Sequence, residues 1–384
     1  EFDAAGRRTK LVENKIAGSG ADKNRTTRFE YNLDSLLTKL IAENSTTGNQ
    51  ETLYVYGTPV GGITPAVYRN DLLRAVIYPD SANTYSGGYT GTFTDGAGGY
   101  DRVEYKYNRQ GQVIELKDQN GTIHEYDYDK AGRRTVDRVA TVGSGVDTAV
   151  RRIELAYDNR GPLAKVTSYS TTSGSSGVVN QVELAYNAFG QLISDKQEHG
   201  DNVVSATEKV EYFYADGSAN HVRPTKIIYP NGREVHFTYA SGADDNLSRP
   251  SALASAASGG TQFAAYSYLG LGQIVKVDYT EPDLLYTLAG GAANDPYDGE
   301  GSATGGLDRF GRVVNLQWID YGPNPDVVNE QVKHGYDRAS NRLWRQCPIP
   351  SGLASSKFFD ELYTYDGLYQ LKTFARGYLN TAKD

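Results

Sequence analysis

The sequence predicts an all-β chain of tandem antiparallel β-hairpins, a long spiralling sheet forming a segment of an open or hollow β-shell. Three observations lead there. The chain is rich in tyrosine, with 30 Tyr against 11 Phe and 2 Trp, and it carries 42 glycines and 13 prolines. Apolar and polar residues alternate with period two in run after run, the signature of strands that present one side-chain set to each face. Each such run ends in an aromatic residue followed by a turn signal that recurs along the whole chain.

The tyrosine content fits a sheet whose faces are part packed and part wet, because the ring is apolar while its tip bonds to water or backbone. Alternation is clearest in Val103-Glu104-Tyr105-Lys106-Tyr107, Ile153-Glu154-Leu155-Ala156-Tyr157 and Val182-Glu183-Leu184-Ala185-Tyr186. An aromatic, then Asp or Asn, then a glycine four residues after the aromatic follows directly. The copies are Phe2-Asp3-Ala4-Ala5-Gly6, Tyr107-Asn108-Arg109-Gln110-Gly111, Tyr128-Asp129-Lys130-Ala131-Gly132-Arg133, Tyr157-Asp158-Asn159-Arg160-Gly161 and Tyr186-Asn187-Ala188-Phe189-Gly190. Tyr268-Leu269-Gly270-Leu271-Gly272 keeps a glycine without the acid, and Leu307-Asp308-Arg309-Phe310-Gly311-Arg312 keeps the turn without the tyrosine. Looser copies stand at Tyr31-Asn32 (Ser35 in the glycine slot), Tyr336-Asp337 (Ser340) and Tyr365-Asp366 (Tyr369). A short polar side chain bonds nearby backbone N–H groups and glycine takes positive φ without penalty, so the segment reads as a tight reversal. A second apolar run resumes at once, which completes a hairpin. Second turns such as Asp118-Gln119-Asn120-Gly121 and Pro230-Asn231-Gly232 return the chain, giving a continuous meander.

The step between equivalent aromatics is 29 residues from 2 to 31, 128 to 157, 157 to 186, 239 to 268 and 336 to 365. Helix is almost absent from the pattern. Asp34 to Ile41, the best helical candidate, falls where the repeat frame expects a hairpin and is read as strand. Stretches rich in Gly, Ser, Ala and Asp at 81–99, 141–149, 170–179, 241–262 and 287–306 read as loops between hairpins, because the repeat resumes after each. The whole of 1–384 is therefore expected to be one repeat region without a domain boundary. Far more than half of the ordered residues should be strand, with hairpins pairing to units one turn of the spiral away. A start in mid-repeat and the lack of any methionine suggest an excerpt of a longer polypeptide.

Net charge is -8, with acids and bases interspersed, which argues against a nucleic-acid partner. No stretch approaches the roughly 18 apolar residues of a membrane helix. Cys347 is the single cysteine and cannot form a disulfide within the chain. His124, His199, His221, His236 and His334 are scattered without metal-ligand spacing and read as strand-surface residues. Gly270-Leu271-Gly272 is only a fragment of a dinucleotide motif. Asp244-Asp245-Asn246 and Asp295-Pro296-Tyr297-Asp298-Gly299-Glu300 supply oxygen ligands but not the spacing of a calcium loop, so both read as solvated loops. Catalytic, cofactor and metal residues are expected to be none, and the chain is read as a non-enzyme. A glycosidase would need two facing carboxylates, which sequence cannot place.

The Tyr-Asp-x-x-Gly-Arg segments with their Asp-x-Asn-Gly second turns resemble the YD repeat of the rearrangement-hotspot (RHS) proteins, which toxin-complex C components and teneurins share. The residues carrying the resemblance are Phe2, Gly6, Tyr107, Gly111, Tyr128, Asp129, Gly132, Arg133, Tyr157, Asp158, Gly161, Tyr186, Gly190, Tyr268, Gly272, Asp308, Gly311, Arg312, Tyr336, Asp337, Tyr365 and Asp366. The resemblance implies a β-shell or scaffold of a large secreted or cell-surface protein. Its partners would be flanking parts of the same polypeptide, an enclosed toxin-like domain, or a surface glycan or protein, with no nucleic acid and no membrane insertion. The family's closing Asp-Pro-x-Gly-Leu motif is not matched: Asp295-Pro296 is followed by Tyr297-Asp298. An adhesive module that binds glycan or protein through loops and exposed tyrosines is the alternative.

Overall fold

A computed structural model describes all residues except 16, 19–22, 58–68, 218–220, 289–304, 349–358, 381 and 384. The fold is all-β, with half the chain in strands and almost no helix. By contact the chain divides into two compact units, Glu1–Lys209 and Val210–Asp384, where the sequence had suggested one region.

In the first unit the sheet runs through Lys10–Glu13, Arg25–Tyr31, Leu37–Ala42, Gln50–Tyr56, Leu73–Ile77, Val103–Tyr107, Val113–Lys117, Ile123–Tyr128, Arg134–Thr141, Arg152–Tyr157, Leu163–Tyr169, Val178–Tyr186 and Leu192–His199. In the second it runs through Lys209–Tyr214, which starts one residue before the boundary, then Pro224–Ile228, Glu234–Thr238, Ala252–Ala254, Gln262–Leu269, Gln273–Tyr279, Leu284–Thr287, Asn315–Asp320, Val327–Tyr336, Arg342–Gln346, Asp360–Tyr365 and Leu371–Gly377. All ladders between described strands are antiparallel and join neighbours in the sequence. The one strand-order skip is Leu73–Ile77 to Val103–Tyr107, across a small separate hairpin. The expected pairing to a unit one turn away is therefore corrected: a meander satisfies each edge with the next strand, and nothing further is needed. The expectation of far more than half strand was also too high, because two reversals per repeat consume residues in turns.

Register is set by the turns. At each key tyrosine the ladder slips by one residue, between Ala156 and Tyr157, Ala185 and Tyr186, Asp127 and Tyr128, and Gly335 and Tyr336. Each of these three-residue loops ends in a left-handed residue, and the slip follows as a β-bulge in the returning strand, as at Ala164 after Gly161. Gly132 shows the requirement, with φ +82. Ser35, Ser340 and Tyr369 hold the same conformation at φ 64, 68 and 61, so these loose copies fold into the same turn without glycine.

Two loop expectations need correction. Residues 81–99 contain the hairpin Thr84–Ser86 and Thr92–Thr94 joined by a 3-10 turn at Gly88–Thr90. Residues 241–262 contain the short helix Ala243–Asn246 and the strand Ala252–Ala254. Gly and Ser enrichment marked the reversals in both but hid the ordered residues between them. Within 34–41 the chain turns at Asn32–Leu36 and then forms strand Leu37–Ala42. Most of 287–306, including Asp295 to Glu300, lies outside the described residues.

No large side chain among the described residues is fully buried. In the first unit, ladder partners such as Leu155 and Val166, or Val166 and Val182, pack side by side while remaining partly exposed. The second unit has one small apolar cluster, Val275, Leu288 and Leu307. Gly335 lies against Trp344 so closely that a Cβ would fall 2.1 Å from the indole nitrogen. Cross-strand pairs thus carry most of the packing.

Candidate functional site

The repeated turn is the most strongly organised chemistry in the molecule. In Tyr128–Arg133 the Asp129 N–H donates to the Arg133 carbonyl (2.9 Å) and the Gly132 N–H donates to the Asp129 carbonyl (3.0 Å). Asp129 Oδ1 accepts the N–H groups of Ala131 (2.9 Å) and Arg133 (3.0 Å), and Oδ2 accepts Arg133 Nε (2.7 Å). Asp3, Asn108, Asn187, Asp308, Asp337 and Asp366 accept the N–H groups two and four residues on in the same way. The second turn at Asp118 copies part of it, accepting the Thr122 N–H at 2.8 Å. An acceptor aimed at two orphan donors explains why Asp or Asn fills this slot in most copies, Leu269 being an exception.

Two further contacts join turns to their neighbours, and neither follows from sequence spacing. The key tyrosine hydroxyl donates to a backbone carbonyl of the preceding hairpin. Among the described residues nine do so at 2.6–3.1 Å, from Tyr31, Tyr107, Tyr128, Tyr157, Tyr186, Tyr239, Tyr268, Tyr336 and Tyr365. The acceptor lies two residues past the left-handed turn residue, as in Val113 after Gly111, Arg134 after Gly132, Leu163 after Gly161 and Arg342 after Ser340. The recurrence at 29 residues therefore counts donor-to-acceptor pairs as well as turns.

Arginine supplies the second contact. Held by Asp129, Arg133 reaches forward to the Gly161 carbonyl (3.1 Å), and its guanidinium sits 4.2 Å from the Tyr157 ring centroid. Arg7 lies over Tyr31 and Arg312 over Tyr336, each bonding the carbonyl of the next turn's acid or amide. Gln112 plays the neutral version, donating to the Gly132 carbonyl at 2.9 Å. In the turn at Asp158 the arginine slot holds Pro162, and Arg160 two residues earlier substitutes. It bonds Asp158 at 2.8 Å and also reaches the Asn187 carbonyl. The acidic run Asp244-Asp245 belongs to the same device: Arg249 pairs with Asp244 over Tyr268, and Arg223 pairs with Asp245 over Tyr239. Asp245 stays exposed while paired, so the run is a solvated loop whose carboxylates also take part in the clasp.

Charge follows the geometry. Bonding from the Arg160 side chain and backbone lowers the Asp158 carboxyl to about 2. The Arg133 N–H and guanidinium hold Asp129 below its ordinary value. Burial pushes Tyr107, whose hydroxyl meets the Leu73 carbonyl at 2.6 Å, up to about 12.

No family model and no curated protein matches the chain. Similar solved structures are chains of toxin complexes, the group the turn motif resembles. They include TcdB2-TccC3 without its hypervariable C-terminal region (12% identity, TM-score 0.47) and TcdB2-TccC3-TEV (12%, 0.46). A third is the Photorhabdus luminescens Tc holotoxin pore carrying a TccC3-D651A mutation (12%, 0.46). In each, 96% of this chain is covered and only 19% of the other, so the chain spans about a fifth of their length.

The remaining motif residues fall as follows. Phe2 and Gly6 form an intact first turn, with Phe2 bridged to Arg8. In the turn after Tyr268 the left-handed residue is Gly270 (φ 58) rather than Gly272, although Leu269 pairs with Gln273 in the same frame as the other turns. His124 contacts Asp137 at 2.8 Å and His236 contacts Glu234 at 2.7 Å, while burial keeps half-buried His334 below its ordinary value. Among the described residues no group of three or more His, Cys, Asp or Glu could hold a metal. None of the described helices is long and apolar enough to cross a membrane, which does not bear on β-barrels.

A feature the sequence did not reveal is a column of alternating cations and rings that fastens the small hairpin of the first unit. Lys117 stands 3.4 Å from the Tyr100 ring, Arg102 lies between Tyr100 (4.5 Å) and Phe93 (4.4 Å), and Arg74 lies between Phe93 (4.8 Å) and Tyr85 (5.7 Å). Arg102 also pairs with Asp95 and Glu104. The hairpin thereby walls an open cavity of about 450 Å³ lined by Tyr54, Tyr56, Tyr85, Tyr89, Leu33 and Leu53.

Proposed function

We propose that this chain is a non-enzymatic structural segment, a β-shell or scaffold of a large secreted or cell-surface protein of RHS type, which can enclose a polypeptide encoded elsewhere in the same protein. The observation that carries this reading is the repeated clasp. Nine tyrosine hydroxyls and a row of arginines are committed to fixing one hairpin on the next. Groups locked into backbone contacts serve rigidity, and a wall needs rigidity along its whole length.

The test pairs hydrogen exchange with an activity screen. A scaffold shows strong amide protection in all hairpins at once and no turnover of glycoside, ester or phosphate substrates. Turnover that scales with protein and vanishes on replacing one carboxylate would overturn the non-enzymatic reading. Enclosure is tested by protease treatment of the parent protein: a cargo segment should survive until the hairpins are unfolded.

One observation favours a second reading, an adhesive module. The cavity beside the small hairpin presents four tyrosines and has the volume of a ligand site. Glycan-array binding that is lost on Tyr54→Ala, with the fold intact, would support it.

A further inference from the structure

We infer, building on the adhesive reading, that the cavity beside the small hairpin of the first unit binds a neutral proline-rich peptide in the polyproline II conformation, received by the hydroxyls of Tyr54 and Tyr56. The cavity lies where the clasp is left open. Tyr56 holds the place of a clasp tyrosine, since its ladder with Leu73–Ile77 slips between Val55 and Tyr56 as at the others. Its acceptor would be the Leu37 carbonyl, two residues past left-handed Ser35 (φ 64) and paired with Tyr31 as Val113 is with Tyr107. Among the described residues the Tyr56 hydroxyl bonds neither that carbonyl nor any other group. The hydroxyl of Tyr54, two residues before it on the same face of the strand, is equally uncommitted among the described residues, and both side chains line the cavity.

The rest of the wall says what fits. None of the described residues lining this space of about 450 Å³ is charged, so the ligand is neutral. Most polar side chains around it are spent within the protein. Tyr85 bonds the Gly88 carbonyl and Tyr89 bonds Asp34. Asn32 donates to Tyr89 at 3.3 Å and accepts the Leu36 N–H at 2.9 Å, and Thr38 donates to the Glu30 carbonyl at 3.2 Å. What is left, besides Ser86, is a pair of hydroxyl donors set among rings, too few groups to satisfy the hydroxyl-studded edge of a saccharide. A proline-rich segment needs little more. It brings carbonyls to be met, few N–H groups to leave unpaired, and a conformation already extended before it binds an aromatic wall. Spacing agrees: residues i and i+2 of a strand stand about 6.7 Å apart, and carbonyls two residues apart in polyproline II about 6.2 Å. Elsewhere in the chain the clasp tyrosine donates to a peptide carbonyl of its own neighbour, and here the carbonyl comes from the guest. The cavity is held ready by the cation–ring column and by Gly57 (φ 98), where a Cβ would fall 2.9 Å from the Tyr89 carbonyl.

The probe is fluorescein-labelled decaproline, titrated into the full 384-residue chain by fluorescence anisotropy. Saturable binding is expected, together with slowed amide exchange at Gln50–Tyr56 and Thr84–Ser86. Tyr56→Phe should weaken binding about five-fold, the equivalent of one neutral hydrogen bond, and Tyr54→Phe by a similar factor. Because the Tyr56 hydroxyl closes no clasp, Tyr56→Phe should leave amide exchange at Leu37–Ala42 and Gln50–Tyr56 unchanged in the peptide-free chain. The peptide site is overturned by no saturable binding up to about 1 mM, by unaltered affinity in both variants, or by equal binding of a labelled Gly-Ser peptide of the same length. Loosening of those two strands by Tyr56→Phe would overturn it as well, since the hydroxyl would then be serving the fold. Neutral saccharides that bind, and are lost with Tyr54→Ala, while decaproline does not bind would overturn the peptide and leave the adhesive reading standing. If neither ligand binds, both fall.

Discussion

Replacing Arg133 by alanine should loosen the contact between two neighbouring turns and leave the rest of the array intact. Three interactions vanish. The ion pair with Asp129 at 2.7 Å is between solvent-screened groups and contributes little. The bond to the Gly161 carbonyl at 3.1 Å is a charged donor on an exposed acceptor, about 1 kcal/mol. The guanidinium over the Tyr157 ring at 4.2 Å adds about 0.5 kcal/mol at such a site. The total is about 1.5 kcal/mol, a roughly ten-fold rise in local opening. Tyr157→Phe keeps the ring and loses only the 2.8 Å bond to the Arg134 carbonyl, about 1 kcal/mol or roughly five-fold. Because the phenylalanine ring still receives the guanidinium, the two effects should add within about 0.5 kcal/mol. Native-state hydrogen exchange read at Arg134–Thr141 and Arg152–Tyr157 measures both. Equal loosening at Leu192–His199, or no loosening at all, would refute the neighbour-by-neighbour account of stability.

Three more outcomes follow from the same geometry. Asp158 titrates at about 2 in the folded chain against an ordinary 3.8, so its contribution is complete above about 4 and fades as pH falls toward 2; carboxyl NMR titration with exchange at Gly161 should show this window. Gly132→Ala places a side chain at φ +82, with its Cβ 3.1 Å from Gln112 Nε2, and should cost about 1 kcal/mol, whereas Ser340→Gly at φ 68 should be neutral or mildly stabilising by thermal denaturation. Arg102→Ala removes the middle of the cation–ring column and should free Thr84–Thr94 to proteolysis while Val103–Tyr107 stays protected, as limited digestion with mass spectrometry will show.

Much of the architecture was legible because turn and strand chemistry are local. Asp129, Gly132 and the alternation before Tyr157 each announce themselves within a few residues, and the structure forms hairpins there. What escaped was contact between turns. Nothing within a repeat shows that Tyr157 bonds to the Arg134 carbonyl, since any residue supplies a carbonyl. Arg160 serving for the absent arginine at Pro162 is likewise visible only in space. The hairpin at Thr84–Thr94 was hidden because its fastening side chains, Arg74 and Arg102, lie outside it. Pairing to a distant turn was expected on the premise that edges must be hidden, but each described strand finds its partner next in sequence.

The asymmetry of the clasp bears on how such a chain can change length. The donor is a tyrosine side chain, while the acceptor is a peptide carbonyl that every repeat possesses. Tyr128 finds its acceptor at Val113 and Tyr157 at Arg134, and either ring could serve the other's partner. Excising the 29 residues from Tyr128 to Ala156 would bring Tyr157 directly onto Val113 with no compensating substitution. Duplication and loss of whole repeats thus leave the joint between survivors chemically unchanged, and unequal recombination can lengthen or shorten the wall without first having to redesign it.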